Sequence, residues 1–244
     1  MKINRVLLLI ATAVVVLTIN SCKKTDNSTT QPTNLVGELY LNIEANMNTT
    51  VIDSGIVAHD SAGRRIQCNL AQFYISGIKF KKADGTYYTP TPSVYLLHKM
   101  SNITYFINTV PAEDYLSVSF NVGIDSATNT KNPSTFISSS PLYLQQPSMW
   151  FGSTFQGYIF LNANGLVDTS ANNNGTVNYP FTLQLGTNAE LMNITMPDRP
   201  FTVLAGTSQY VNIIADYGKL FSGISFLTFN VSNNWNISPS TSPA

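Results

Sequence analysis

The chain has 244 residues, with 13 Lys and Arg against 13 Asp and Glu; 11% of residues are charged, 43% hydrophobic and 11% aromatic. That balance excludes a disordered polypeptide, since there is ample apolar surface for a core, and it excludes the basic field that binding nucleic acid requires. Two cysteines, Cys22 and Cys68, and two histidines, His59 and His98, leave little material for disulfides, metal clusters or imidazole catalysis.

Lys2 and Arg5 precede the apolar run Val6 to Leu17, and Ile19-Asn20-Ser21-Cys22 follows. A positive start, a short apolar segment and a small residue before a cysteine form a bacterial lipoprotein signal peptide over residues 1–21, with Cys22 as the lipidated first residue of the mature chain. A membrane-spanning helix needs about 20 continuous apolar residues, and Thr12, Thr18 and Asn20 shorten this run. Asn20 stands where lipoproteins usually carry a small apolar residue, so plain secretion is the alternative. Two or more acyl chains give stable anchoring, so the expected address is the outer membrane, facing the periplasm or the cell surface, with palmitate among the chains on Cys22. Removing the signal takes Lys2 and Arg5 and leaves 11 basic against 13 acidic residues.

Residues 22–35 read as the lipidated cysteine and a polar tether, because Thr25 to Asn34 has no apolar pattern. From Val36 the dominant signal is period-two alternation, at Leu39-Leu41-Ile43, at Leu116 to Ile124, at Phe181 to Leu185, at Met192 to Met196 and at Val211 to Ile213. Further strands are predicted at Val51 to Ala58, Phe73 to Lys82, Tyr95 to His98, Ile103 to Asn108, Gly157 to Asn162 and Ser225 to Val231. Asp84-Gly85 predicts a hairpin turn of the primed type, and Asn164-Gly165 and Asn174-Gly175 give weaker turn signals. Only Asp216 to Phe221 reads as a helical turn. Many short strands without βαβ spacing predict an all-β fold: a single immunoglobulin-like antiparallel β-sandwich over residues 36–232, followed by a loose tail at 233–244.

Candidate chemistry is sparse. Cys68 alternates with Ile66 and Leu70 and reads as a buried, inert thiol. His59 and His98 read as structural, and HExxH, HxH and CxxC are absent. Asp125-Ser126-Ala127-Thr128-Asn129 gathers oxygen atoms but supplies one carboxylate, which suits a capped turn better than calcium. Met149-Trp150-Phe151-Gly152 is the place where redox chemistry is physically plausible, through a thioether suited to Cu(I) and an oxidisable indole; packing is the competing reading.

Three segments, Gln72-Phe73-Tyr74-Ile75-Ser76-Gly77-Ile78, Val110-Pro111-Ala112-Glu113-Asp114-Tyr115 and Phe120-Asn121-Val122-Gly123-Ile124-Asp125-Ser126, followed by Met149-Trp150, Gly157-Tyr158-Ile159-Phe160 and Phe181-Thr182-Leu183-Gln184-Leu185-Gly186, resemble in their order the MbnP-like family of methanobactin-associated periplasmic copper-binding proteins. The resemblance implies a β-sandwich that holds copper through histidines and an oxidised tryptophan, and a dihaem peroxidase-like partner that modifies the tryptophan. Residue by residue the ligands do not carry over. Gln184 stands where such proteins resemble F-x-x-H-L-G, the strand Leu39 to Asn46 has no histidine, and the second tryptophan near Trp150 is missing.

The leading expectation is a lipid-anchored, non-catalytic β-sandwich with a degenerate or altered copper site and no assigned cofactor. One alternative is a functional copper protein using Met149, Trp150, His98 and Cys68, with Gln184 as a further candidate binding residue. Another is a surface module for a glycan or protein, built on Trp150, Trp235 and the many tyrosines.

Overall fold

The computed structural model describes residues 35–101, 103–221 and, for the backbone alone, 233–237. The expected signal peptide, Cys22, the expected tether and the strand predicted at Ser225 to Val231 lie outside the described residues. Alternating side chains shape β1 (Val36–Met47), β2 (Thr50–Val51), β3 (Val57–His59), β4 (Arg65–Lys82), β5 (Tyr87–Tyr88), β6 (Leu96–Lys99), β7 (Thr104–Pro111) and β8 (Asp114–Val122). After a long connection come β9 (Leu161–Val167), β10 (Tyr179–Leu185), β11 (Met192–Thr195), β12 (Phe201–Thr202), β13 (Ser208–Asp216) and β14 (Asn233–Ile237). Two single-turn helices, α1 (Ser126–Asn129) and α2 (Tyr217–Leu220), are capped by Asp125 and Asp216, whose carboxylates accept from the backbone N–H of Thr128 and Gly218. No helix among the described residues is long and apolar enough to cross a membrane.

The smaller sheet centres on β1, with β13 parallel on one edge and β7 then β2 antiparallel on the other. The larger sheet centres on the 18-residue β4. One edge of β4 is taken in turn by β3, β6 and β5, and the other by β9 and then β8: Phe73 faces His98 and Leu161, while Ile75 faces Leu96 and Val122. Strand β8 carries β11 and β12, and β9 carries β10, which pairs in parallel with β14. The result is the expected all-β sandwich, antiparallel among the described residues except for the β1–β13 and β10–β14 pairs.

The inward rows of both sheets form one core, with Leu39, Leu41 and Ile43 of β1 packed with Phe73, Ile75, Phe80, Val118, Phe120, Phe181 and Ile213. The middle of β4 is buried on both faces, from Ala71 through Ser76. Its inner face meets the smaller sheet, and its outer face is roofed by the connection from β8 to β9. There Tyr74, Leu97, Ile124, Leu142, Met149, Tyr158, Ile159 and Phe160 form a second apolar cluster.

Several local expectations change. The segment predicted as one strand at Val51 to Ala58 breaks into β2 and β3 around a turn in which Ile56 N–H donates to Asp53 O. The Asp84-Gly85 loop is three residues long, closed by Lys82 N–H to Thr86 O at 2.8 Å and Gly85 N–H to Lys82 O at 3.0 Å. Only Gly85 has positive φ there, +84°, so this is a turn ending in a left-handed glycine rather than a primed turn, which needs two-residue spacing. Asn164-Gly165 is no turn at all: Gly165 sits inside β9 opposite Cys68, where a Cβ would collide with Gln67 O. The ladder shifts register between Cys68 and Leu70, so Ala71 rather than Leu70 joins Ile66 and Cys68 in the core. The stretch predicted from Gly157 becomes regular strand only at Leu161. Asn233–Ile237, expected in the loose tail, instead extends the sheet by pairing its backbone with β10.

Candidate functional site

The outer face of the larger sheet brings together Met149, Trp150, Gln184 and the Asp125 turn. Met149 to Phe151 fold back on Gly157 to Ile159 as a small hairpin: Ile159 N–H donates to Met149 O at 2.9 Å and Phe151 N–H to Gly157 O at 3.0 Å. Ser148 Oγ closes the entry, accepting from Trp150 N–H at 3.1 Å and donating to Trp150 O at 3.0 Å. Met149 is buried in the second cluster. Trp150 is half-buried and stands edge-on to Tyr158, ring centroids 5.0 Å apart.

Tyrosine hydroxyls tie this roof to the sheet. Tyr158 OH donates to Leu142 O at 2.8 Å, Tyr74 OH donates to Pro141 O at 3.1 Å, and the two rings meet edge to face at 5.6 Å. Tyr158 N–H donates to Asn129 Oδ1 at 2.7 Å, linking α1 to the hairpin. Asp125 accepts from Tyr95 OH at 2.6 Å and from Thr128 N–H at 3.0 Å. Burial works to raise its carboxyl, but these bonds outweigh it and the net shift is down. Asp125 is therefore a capping group fastened to β6's approach, as the single carboxylate of its loop suggested.

Beneath the hairpin runs a row of amides. Gln72 of β4 is in register with Asn162 of β9, and Asn162 with Gln184 of β10. Gln72 is 1% exposed and Asn162 3%. Asn162 Nδ2 donates to Ser148 O at 3.4 Å, while Gln72 Nε2 and Asn162 Oδ1 have no protein partner. Gln184 is half-buried, and Gly186 two residues on lies so close to the Phe151 ring and Tyr158 O that a Cβ has no room. Gln184 thus belongs to the same neighbourhood as Met149 and Trp150. Gln72 and Asn162 were not read from the sequence as site residues, because a polar residue alternating with apolar ones predicts an exposed face; only the roof buries them.

His98 does not join them. Alternation along β6 sends Leu97 to the outer cluster and Leu96 with His98 to the core between the sheets. His98 is 0% exposed, its ring 4.8 Å from Phe73, with Nδ1 3.2 Å from Tyr105 OH and Nε2 without a partner. Burial holds its imidazole down, to about 4. Cys68 lies in the same core, and burial pushes its thiol up to about 12, which suits an inert packing role. His59 is exposed at the end of β3, and its carbonyl accepts from Asn48 Nδ2 at 2.7 Å. Trp235 lies on β14 in register with Leu183. Among the described residues no three of His, Cys, Asp and Glu come together as a metal-holding group. A separate apolar cleft of about 410 Å³ opens between the sheets beside α2, lined by Phe73, Phe120, Met192, Ile213 and Leu220; its ionisable lining groups are Asp216, Tyr217 and Lys219.

Two sheets over one core, with the larger sheet roofed on its outer face by a long connection, define an all-β sandwich of the type that the sequence resemblance implied. The family model described as MbnP matches residues 36–238, and the chain belongs to the MbnP family. Among solved structures, MbnP from Methylosinus trichosporium is similar at 10% identity and a TM-score of 0.48, over 82% of this chain and 81% of that one. No curated protein sequence matches.

Proposed function

We propose that this chain is a lipid-anchored, non-catalytic member of the MbnP family, held at the outer membrane through Cys22, whose copper site is degenerate. The observation that carries the reading is the amide row Gln72–Asn162–Gln184 under the Met149–Trp150 hairpin, with Gln184 at the position where the family resemblance calls for an imidazole. Copper favours imidazole, thiolate and thioether over the neutral oxygen of an amide. Met149 is the soft donor near this row, and His98 is buried on the other side of the sheet. The residues present do not fit copper. On this reading Trp150 packs on Tyr158 and stays unmodified, and no dihaem peroxidase-like partner acts on it.

Titration of the purified mature protein with Cu(I) against a competing chelator tests the metal half of the proposal. Weak or undetectable binding is expected, and submicromolar binding overturns it. Intact mass of the membrane-extracted protein tests the anchor: acyl mass on Cys22, absent in Cys22→Ser, is expected, and an unacylated chain overturns it.

A further inference from the structure

The outward face of the smaller sheet carries three aromatic rings in register. Tyr40 of β1 lies beside Tyr210 of β13 and Phe106 of β7. The Tyr40 and Tyr210 rings stack at 5.0 Å with planes 20° apart, and Phe106 leans on Tyr40 at 5.3 Å. Cross-strand aromatic pairing explains the central ring. It does not explain the two outer rings, which stay 46% (Tyr210) and 49% (Phe106) exposed at opposite ends of the row.

Hydrogen-bonding rows flank the rings on both sides, one alternate position away, about 7 Å along the strands. On one side Asn42 Nδ2 donates to Asn212 Oδ1 at 3.0 Å, and Thr104 Oγ1 donates to Asn42 Oδ1 at 2.9 Å. On the other, Glu38 accepts from Tyr40 OH and from Ser208 Oγ, each at 2.9 Å. These bonds hold the side chains in place before any ligand arrives, which lowers the entropy cost of binding. Beyond Tyr210 and Asn212 the surface turns over the edge of β13 into a cleft of about 530 Å³ that also meets Met196, Arg199 and Phe201.

Charge selects the occupant. The outward positions of β1, β7 and β13 include the carboxylates Glu38 and Glu44 and no Lys or Arg. Nucleic acid, an acidic glycan and an anionic lipid surface would all be repelled by this face. A neutral glycan matches it, because a sugar ring has an apolar C–H face for the aromatic rings and hydroxyls around its rim for the amides and the carboxylate. We propose that the outward face of β13–β1–β7 binds a neutral polysaccharide, with sugar rings against Phe106 and Tyr210 and hydroxyls on Asn42, Asn212 and Glu38. This site is independent of the amide row on the other sheet.

The full chain, purified in a detergent without a sugar headgroup, would be titrated calorimetrically with cellohexaose, xylohexaose, mannohexaose and laminarihexaose, and with hexagalacturonic acid as the anionic control. At least one neutral hexasaccharide is expected to bind and to weaken by about tenfold in Tyr210→Ala and in Phe106→Ala. Ile137→Ala, an exposed position outside this sheet, should leave it unchanged, and circular dichroism would check that each variant folds. The proposal is overturned by no neutral probe binding at millimolar concentration, by binding of hexagalacturonic acid alone, or by neutral binding that both ring variants retain. Concentration-dependent dimers that Tyr210→Ala abolishes, without sugar binding, would overturn it in favour of a second copy of the chain.

Discussion

Gln184 lies directly opposite Asn162 in the β9–β10 ladder. Residues so paired in an antiparallel sheet have Cβ atoms about 5 Å apart, close enough for two imidazoles to share one metal ion. The double variant Asn162→His/Gln184→His is therefore expected to bind Cu(II) at least about tenfold more tightly than the native chain. Competitive titration checks this, and a native chain that already binds as tightly as the double variant would defeat the reading of a degenerate site.

His98 makes the core sensitive to acid. Its imidazole is held down to about 4 by burial, from an ordinary 6.5. Between those values the unfolded chain takes up a proton that the folded chain refuses, so stability is full above pH 6.5 and falls as the pH drops toward 4. The limit of the effect is about 3 kcal/mol. Urea midpoints measured from pH 7 to pH 4.5 should fall in the native protein, and His98→Gln should flatten that part of the dependence.

Gly165 is fixed by the close approach of β4. A Cβ there would run into Gln67 O at the point where the β4–β9 ladder changes register. Gly165→Ala is expected to destabilise by about 1–3 kcal/mol through overpacking, read as a lowered thermal midpoint. Gly55→Ala, where nothing lies within 4 Å but φ is +87°, separates crowding from backbone strain.

The roof over the larger sheet should loosen as a unit. Tyr158→Phe removes the donor to Leu142 O, at a cost of about 1–3 kcal/mol. Met149→Ala leaves a cavity in the same cluster, at about 2–5 kcal/mol. Hydrogen exchange should rise across residues 123–160 in both variants, while the β1–β13 ladder keeps its protection. Uniform loss of protection would mean that the roof and the sandwich unfold together.

Much of the sandwich was legible because inward and outward residues alternate. The strands around Leu41, Phe120, Leu183 and Ile213 appear where the pattern puts them, and Asp216 caps the one helical turn that the sequence suggested. The signals that failed were local ones with two structural meanings. Asn164-Gly165 reads as a turn in sequence, but its glycine is required by a neighbouring backbone that only the β4–β9 pairing brings near. Leu70 loses its core position to Ala71 because a register shift is a property of two strands, not one.

The candidate sites divide in the same way. Gln184 could be picked out from the chain alone, since the family pattern asks for histidine at that place. Gln72 and Asn162 could not, because alternation assigns them to water and it is the roof, folded back from residues distant in sequence, that buries them. Met149 and His98, grouped by their chemistry, are kept apart by the sheet between them. The ring row of Phe106, Tyr40 and Tyr210 is likewise invisible in one dimension, since strand register alone sets them side by side. What the sequence by itself determined was the all-β class and the family, both written in short-range alternation and ordered motifs; which polar groups meet, and on which face, was decided by long-range strand pairing.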